Sequence, residues 1–487
     1  MKGLRRAVMP LVVGVLCVGT LVGCLSSAQT RPLTADEEER CLADVQRIAS
    51  PKLYSSFIAA IAASHGSLQT KVAAMPLDDA NCHDQKQIVA LFENEWDAKH
   101  ALSSIHGTYV ENAGDRIILR EWSRQPLRSL CKLAQSATSL DAPLVLFPDS
   151  SGGVDPEQTS KPRFWQAIQR PSSEELRHLG PGLVVAILGD GVVDPGDLPE
   201  VVHLAAKSTT SAGTRCEGGT CCGTGANSSG GHDTKVAGLI AAKEGSGSGV
   251  GNVSKILAIS AYDSWASVTA PHMAGALLCA VEKDADVIAI SHNSCLTTNT
   301  IPPDLKGALL AVEQHAMISG KPLLIISAAN QGADLARDKH VWPGSFVIKN
   351  SITVEARKYD GTGGPKSNYG EGVVRLAAPT DSDEMSCLMS SPSAPRPSGD
   401  KFTGRSESLG GTSAAAAIVA GGATLVWSDW RYKACPATEI KNTLIQRGKK
   451  NIGSPNTTVS APMLNLGFLT SDCSSRLSDG RQKCCQP

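Results

Sequence analysis

The sequence predicts an α/β protein built on a doubly wound, mostly parallel sheet, with a smaller, mainly helical region ahead of it. Three observations carry this. Apolar runs such as GLVVAIL, KILAISAY, ADVIAIS, PLLIISAAN and SITVEAR are continuous rather than alternating, as strands buried on both faces require. Segments rich in small residues and of helical period, among them TKVAGLIAAK, MAGALLCAVEK and LKGALLAVEQHAM, separate those runs, giving the alternation of βαβ units. The 487 residues are 41% hydrophobic and include 46 glycines, enough for a large core with many tight turns.

In chain order, Lys2, Arg5 and Arg6 precede the apolar run AVMPLVVGVLCVGTLVGC. A charged start and an apolar middle read as a signal peptide over residues 1–23. The run is short for a membrane-spanning helix and holds a proline and several glycines. Its end, LVGC, resembles the lipobox of bacterial lipoproteins. That resemblance implies that Cys24 becomes the first residue after cleavage and carries lipid, so the protein is expected outside the cytoplasm, anchored to a bacterial membrane.

Residues 24–150 read as a helical accessory region or pro-region. TADEEERCLADVQRIAS opens with a Thr cap and an acidic first turn, and DQKQIVALFENEWDAKHALSSIH and EWSRQPLRSLCKLAQSATSL continue a helical period. The stretch FPDSSGGVDPEQTSKP marks a boundary. The main domain is expected over residues 160–470, with a Cys-containing tail over 471–487.

The formal net charge is −1, which argues against nucleic-acid binding driven by bulk charge. Of 15 cysteines, Cys17 and Cys24 belong to the leader and its cleavage site. The odd remainder predicts several disulfides and at least one unpaired thiol in an oxidising compartment. The clusters CEGGTCC and CSSRLSDGRQKCC lack paired zinc-ligand spacing. No metal or other cofactor is expected; nothing in the sequence indicates a calcium site or a nucleotide-binding loop.

Chemistry in such a fold lies at the C-terminal ends of strands. Four places stand out. GGTSAAAAIVAGG sets Ser413 at the start of a small-residue helix, where backbone N–H groups face an anion. GGHDTKVAGLIAAK sets His232 at the start of another. PLLIISAANQG ends a buried strand on Asn330, whose amide can donate to developing negative charge. GLVVAILGDGVVDPGDLP ends a strand on Gly189 and Asp190.

Taken in order, these pieces resemble the subtilisin-like serine proteases over about residues 160–470. HDTKVAG lies over that family's His-Gly-Thr-His-Val-Ala-Gly, and GTSAAAAIVAG over its Gly-Thr-Ser-Met-Ala-Ala-Pro-His-Val-Ala-Gly. The resemblance implies that Ser413 is the nucleophile and His232 its base, with Asn330 and the Ser413 N–H forming the oxyanion hole. It also implies a polypeptide substrate, held along Ser291, His292 and Asn293, which stand in place of the family's Ser-Leu-Gly.

The acid departs from the pattern. The family's aspartate falls on Gly189, and Asp190 stands one residue later. Neighbouring strand residues face opposite ways, so in simple register Asp190 misses the histidine. Glycines on both sides would allow a bulge that re-aims its carboxylate, and the expected catalytic set is Asp190, His232, Ser413 and Asn330. Asp233 is adjacent to His232, and helix neighbours do not face each other, so it is expected to be a poor substitute. Lys235, replacing the family's second histidine, would oppose an imidazolium. Two readings follow: a lipid-anchored serine endopeptidase with a displaced acid, or a pseudo-protease that keeps the fold for binding or scaffolding at a membrane surface.

Overall fold

The apolar runs form an eight-stranded sheet in a computed structural model, which describes residues 34–49, short stretches between 87 and 148, and, with breaks at several loops, residues 163–450 and 461–470. The leader with Cys24, the boundary loop beyond residue 148 and the C-terminal tail lie outside the described residues. The sheet strands are β6 (Leu183–Gly189), β7 (Glu200–Ala206), β8 (Cys222–Thr224), β9 (Val253–Ser260), β11 (Val287–Ile290), β13 (Leu323–Ser327), β14 (Ser351–Arg357) and β15 (Val374–Pro379). Their order is β15-β14-β13-β11-β6-β9-β7-β8. Every pairing is parallel except that of β7 with the edge strand β8.

Alternate residues of each strand feed two cores. Val185, Ile187, Ile256 and Ile325 pack with the helices α3 (Gly231–Ala241), α6 (Gly411–Ser428) and α7 (Ala437–Arg447). Ala186, Leu188, Ile259 and Ile326 pack on the other face with α4 (Ala270–Glu282) and α5 (Pro303–Ser319). This is the doubly wound arrangement expected from continuous apolar strands. Every residue of α6 is buried. Among the described residues it is the one helix long and apolar enough to cross a membrane, yet it lies inside the domain. It is a core helix.

Disulfides join Cys216 to Cys221 and Cys222 to Cys279, the second tying β8 to α4. A third, Cys41 to Cys131, spans the N-terminal region.

In that region the described residues include both helix and strand. The helix α1 (Ala35–Ile48) forms as read, with Thr34 and Glu37 completing a capping box. But Gln87–Leu91, taken as helical, is strand β1. It pairs antiparallel with β3 (Arg116–Arg120) and β4 (Ser139–Asp141), and β2 (Tyr109–Ala113) joins β3. QIVAL is too short for its period to separate helix from strand, and the partner strands decide it. A further strand, β5 (Val145–Pro148), leaves this region and lies between two short strands of the main domain, β10 (Val268–Thr269) and β12 (His292–Ser294).

The crossing of α3 and α6 brings the site together, and glycines make it close. A Cβ on Gly421 would sit 2.8 Å from Val250 Cβ and 3.1 Å from the Gly251 nitrogen. A Cβ on Gly251 would sit 2.5 Å from Thr424 Oγ1. Gly421→Val therefore overpacks the crossing and should cost about 1–3 kcal/mol of stability. Urea unfolding, with Ser413→Ala in both proteins to prevent autolysis, reads this as a lower midpoint at unchanged slope. An unchanged midpoint would show that the 250–251 segment yields freely.

Candidate active site

Three strand ends and two helix starts meet at the C-terminal end of the sheet's central strands. Ser413 occupies the first turn of α6, after Gly411, whose φ is +64°. His232 opens α3. Its Nε2 lies 3.0 Å from Ser413 Oγ, within reach for proton transfer. Ser413 Oγ also lies 3.3 Å from the carbonyl of Ser291, just beyond β11.

Asn330 follows β13. Its Oδ1 accepts from the Thr412 N–H at 3.1 Å, so the amide is tied to the start of α6. A Cβ on Gly411 would lie 2.8 Å from Asn330 Nδ2; only glycine admits the amide this closely. The residue before it, Ala329, is held at φ +69°, a left-handed conformation that costs an alanine on the order of 1 kcal/mol. The backbone thus bends at the point where the amide is presented. The Asn330 amide and the Ser413 N–H stand at the start of α6, where an oxyanion would need donors.

The acid is not where the sequence placed it. β6 keeps regular register with β9 from Val184 to Gly189, which pairs with Ser260, so the bulge expected at Gly189 is absent. The Asp190 carboxylate does not face the imidazole. Its Oδ1 accepts from the Asp233 N–H at 3.0 Å and its Oδ2 from the His232 N–H at 3.3 Å. Asp190 thus satisfies two of the donors that the first turn of α3 leaves unpaired.

The carboxylate at the imidazole belongs to Asp233. Its Oδ1 lies 2.9 Å from His232 Nδ1, and its Oδ2 accepts from the Asp190 N–H at 2.7 Å. Helix neighbours face apart along a helix body, but these two stand in its first turn. Side chains there lean toward the N-terminus, and both swing over the end of β6. Gly189 makes the room: a Cβ there would sit 2.4 Å from Asp233 Oδ2 and 2.3 Å from His292 Cε1.

His292 fills the rest of that space. It is 1% exposed, its ring meets His232 edge-on at 5.1 Å between centroids, and its Nδ1 lies 3.8 Å from Asp233 Oδ1. Asn293 turns inward as well. Its Nδ2 donates to the Ser327 carbonyl at 2.8 Å, and its Oδ1 accepts from the Gly344 N–H at 2.7 Å. Of the Ser291–His292–Asn293 run, the backbone of β12 is what pairs with another strand.

Burial sets the charges. It lowers the His232 imidazole to about 4, Asp190 opposing and Lys235 adding to the effect. It lowers His292 in the same way. It raises Asp190 to about 7, reinforced by the nearby Asp233 charge, and it raises Asp233 too. Two touching carboxyls in a dry site resist double ionisation.

The signal for Asp233 lay in a pair of departures: an acid missing at 189 and an acid gained where the family has glycine. Read together, they mark a carboxylate that enters the same space from another element. Nothing in the sequence alone marked His292 as its neighbour.

Comparison with solved structures finds the epidermin leader peptide processing serine protease EpiP (S393A mutant) of Staphylococcus aureus at 16% identity and a TM-score of 0.53, covering 80% of this chain and 99% of that one. MycP1 of Mycobacterium smegmatis aligns at 19% identity and a TM-score of 0.46, covering 67% and 89%. The EpiP likeness shows the fold. No curated protein matches the sequence significantly. Residues 180–461, more than half of the chain, match the subtilase family, Peptidase_S8, and the chain belongs to that family of serine proteases.

Proposed function

We propose that the protein is a serine endopeptidase in which Asp233, not Asp190, completes the catalytic set. The observation that carries this is the position of His232, which bridges Ser413 Oγ at 3.0 Å and Asp233 Oδ1 at 2.9 Å. With Nδ1–H donating to Asp233, Nε2 keeps its lone pair and takes the Ser413 proton as Oγ attacks a peptide carbonyl. The tetrahedral oxyanion is stabilised by the Asn330 amide and the start of α6. The imidazolium, steadied by Asp233, returns its proton to the leaving amine. Water then releases the acyl group by the same route.

Asp190 supports this from behind. Its carboxyl oxygens accept the His232 and Asp233 N–H groups and fix the backbone from which both residues spring. Ser413→Ala should abolish peptide hydrolysis. Asp233→Asn should lower kcat about 10⁴-fold, the loss that follows removal of a triad acid. Asp190→Asn keeps one acceptor but turns an amide NH2 toward the other backbone N–H, so it should lower activity by disturbing the platform, yet by less than Asp233→Asn. Steady-state kinetics on one chromogenic peptide decides the matter. Equal losses, or a larger loss at Asp190, would return the role to Asp190.

The N-terminal region reads as a pro-segment that occupies the substrate groove. Strand β5 pairs antiparallel with β12, with Phe147 opposite Asn293 and Pro148 opposite His292, and with β10 on its other side. An extended peptide entering the site would be held by such a backbone ladder. Ser413 is also buried in the full chain, as expected of a precursor. Continuing the β5 register past Pro148 leads to Ser291, beside the nucleophile, so the maturation cut should fall within a few residues after Pro148. N-terminal sequencing of the mature protein reads this, and Ser413→Ala should leave the chain uncut. A cut far upstream of Val145 would refute it.

The leader motif LVGC supports lipid attachment at Cys24 and an extracytoplasmic location. Each buried CH₂ contributes about 0.8 kcal/mol, and stable anchoring takes more than one acyl chain. Cys24→Ala should move the protein from the membrane to the soluble fraction; unchanged fractionation would remove the anchor from the account.

A further inference from the structure

We propose that His232, Asp233 and His292 form an inhibitory site for a divalent transition-metal ion of the zinc class. The inhibitory part of this proposal rests on the peptidase reading above; the binding part does not. One donor atom from each residue lies within 4.8 Å of the others. Zinc bonds of 2.0–2.1 Å in tetrahedral geometry hold donor atoms about 3.3 Å apart. The separations from Asp233 Oδ1, 2.9 Å to His232 Nδ1 and 3.8 Å to His292 Nδ1, bracket that value, and the two imidazole donors lie within 4.8 Å of each other, so side-chain adjustments alone would gather the set.

A second observation points to a ligand. His292 Nδ1 is buried and has no hydrogen-bond partner; at 3.8 Å from Asp233 Oδ1 it is beyond hydrogen-bonding distance. A buried nitrogen left in this way is costly, and a cation between it and Asp233 would satisfy both. Two imidazoles and a carboxylate suit zinc, cobalt and copper better than magnesium or calcium, which take oxygen ligands.

The consequence for catalysis follows from tautomers. In the active arrangement the His232 proton sits on Nδ1 and the Nε2 lone pair faces Ser413. A metal ion at Nδ1 takes that nitrogen's lone pair, and the displaced proton moves to Nε2. Nε2 then donates and no longer accepts, so the Ser413 proton has nowhere to go. Asp233 is drawn to the ion at the same time.

The test uses the full-length Ser413→Ala protein, which cannot cleave itself and keeps all three ligands. Cobalt(II) titration should give one equivalent with the visible absorption of a low-coordinate site, displaced by zinc. His292→Leu in the same background should weaken binding at least about 100-fold. In the protein with Ser413 intact, zinc should block fluorophosphonate labelling of Ser413, EDTA should restore it, and His292→Leu should reduce the zinc sensitivity relative to its own metal-free labelling. Cobalt binding unaffected by His292→Leu, no binding at all, or binding without loss of labelling would each overturn the proposal. Should His292→Leu fail to fold, Asp233→Asn in the Ser413→Ala background carries the binding test with the same outcomes. Metal-free labelling of Ser413 reports on the peptidase reading separately.

Discussion

The site depends on an absent side chain. Gly189 ends the strand that carries the acid elsewhere in this family, and the space above it is taken by the Asp233 carboxylate and the His292 ring. Everything near the nucleophile follows from that vacancy. α3 can lower its first turn onto the strand end, where the Asp190 carboxyl receives its two leading N–H groups. The imidazole of His232 is then held between Asp233 and Ser413 in the orientation a general base needs. Close contact of Ile240, at the end of α3, and the 250–251 segment beyond it with Gly421 and Thr424 of α6 fixes the remaining distance.

Placing two carboxyls in contact inside a protein is unfavourable unless their hydrogen bonds are satisfied and their charge is limited. Here each requirement is met by the other residue. Asp190 donates its backbone N–H to Asp233, and Asp233 donates its backbone N–H to Asp190. This reciprocal pair acts as a brace between the end of β6 and the start of α3. It explains why Asp190 belongs to the site without touching the imidazole. Its side chain shapes the platform by accepting the two leading N–H groups of α3. Removing either member leaves the other with a buried group unmatched, so their effects will not add.

Much of the fold was legible because buried parallel strands leave long apolar runs, and β6, β9, β11 and β13 all show them. Ser413, His232 and Asn330 were legible because each sits at the end of an element with a distinctive small-residue context. The strand-parity argument at Asp190 was also sound, since its carboxylate does miss the ring. What failed was a rule applied beyond its range. The statement that helix neighbours do not face each other describes a helix body, and Asp233 stands in a first turn beside an empty strand position. Gln87–Leu91 failed for a different reason: five residues carry too little period, and its pairing with β3 and β4 depends on chain far away in sequence.

The two ways of supplying the acid exclude one another physically. A side chain at Gly189 would begin 2.4 Å from Asp233 Oδ2 and 2.3 Å from the His292 ring, closer than any Cβ contact allows. An aspartate restored there therefore cannot simply be added; Asp233 and His292 must leave first. Equally, a glycine at 233 would leave the imidazole facing a hole lined by His292 and the bare end of β6. Positions 189, 233 and 292 thus behave as one unit, although they lie on a strand, a helix and a second strand. The carboxylate's place beside the histidine is set by the geometry of the reaction, whereas the chain position that supplies it is set only by which neighbour leaves room.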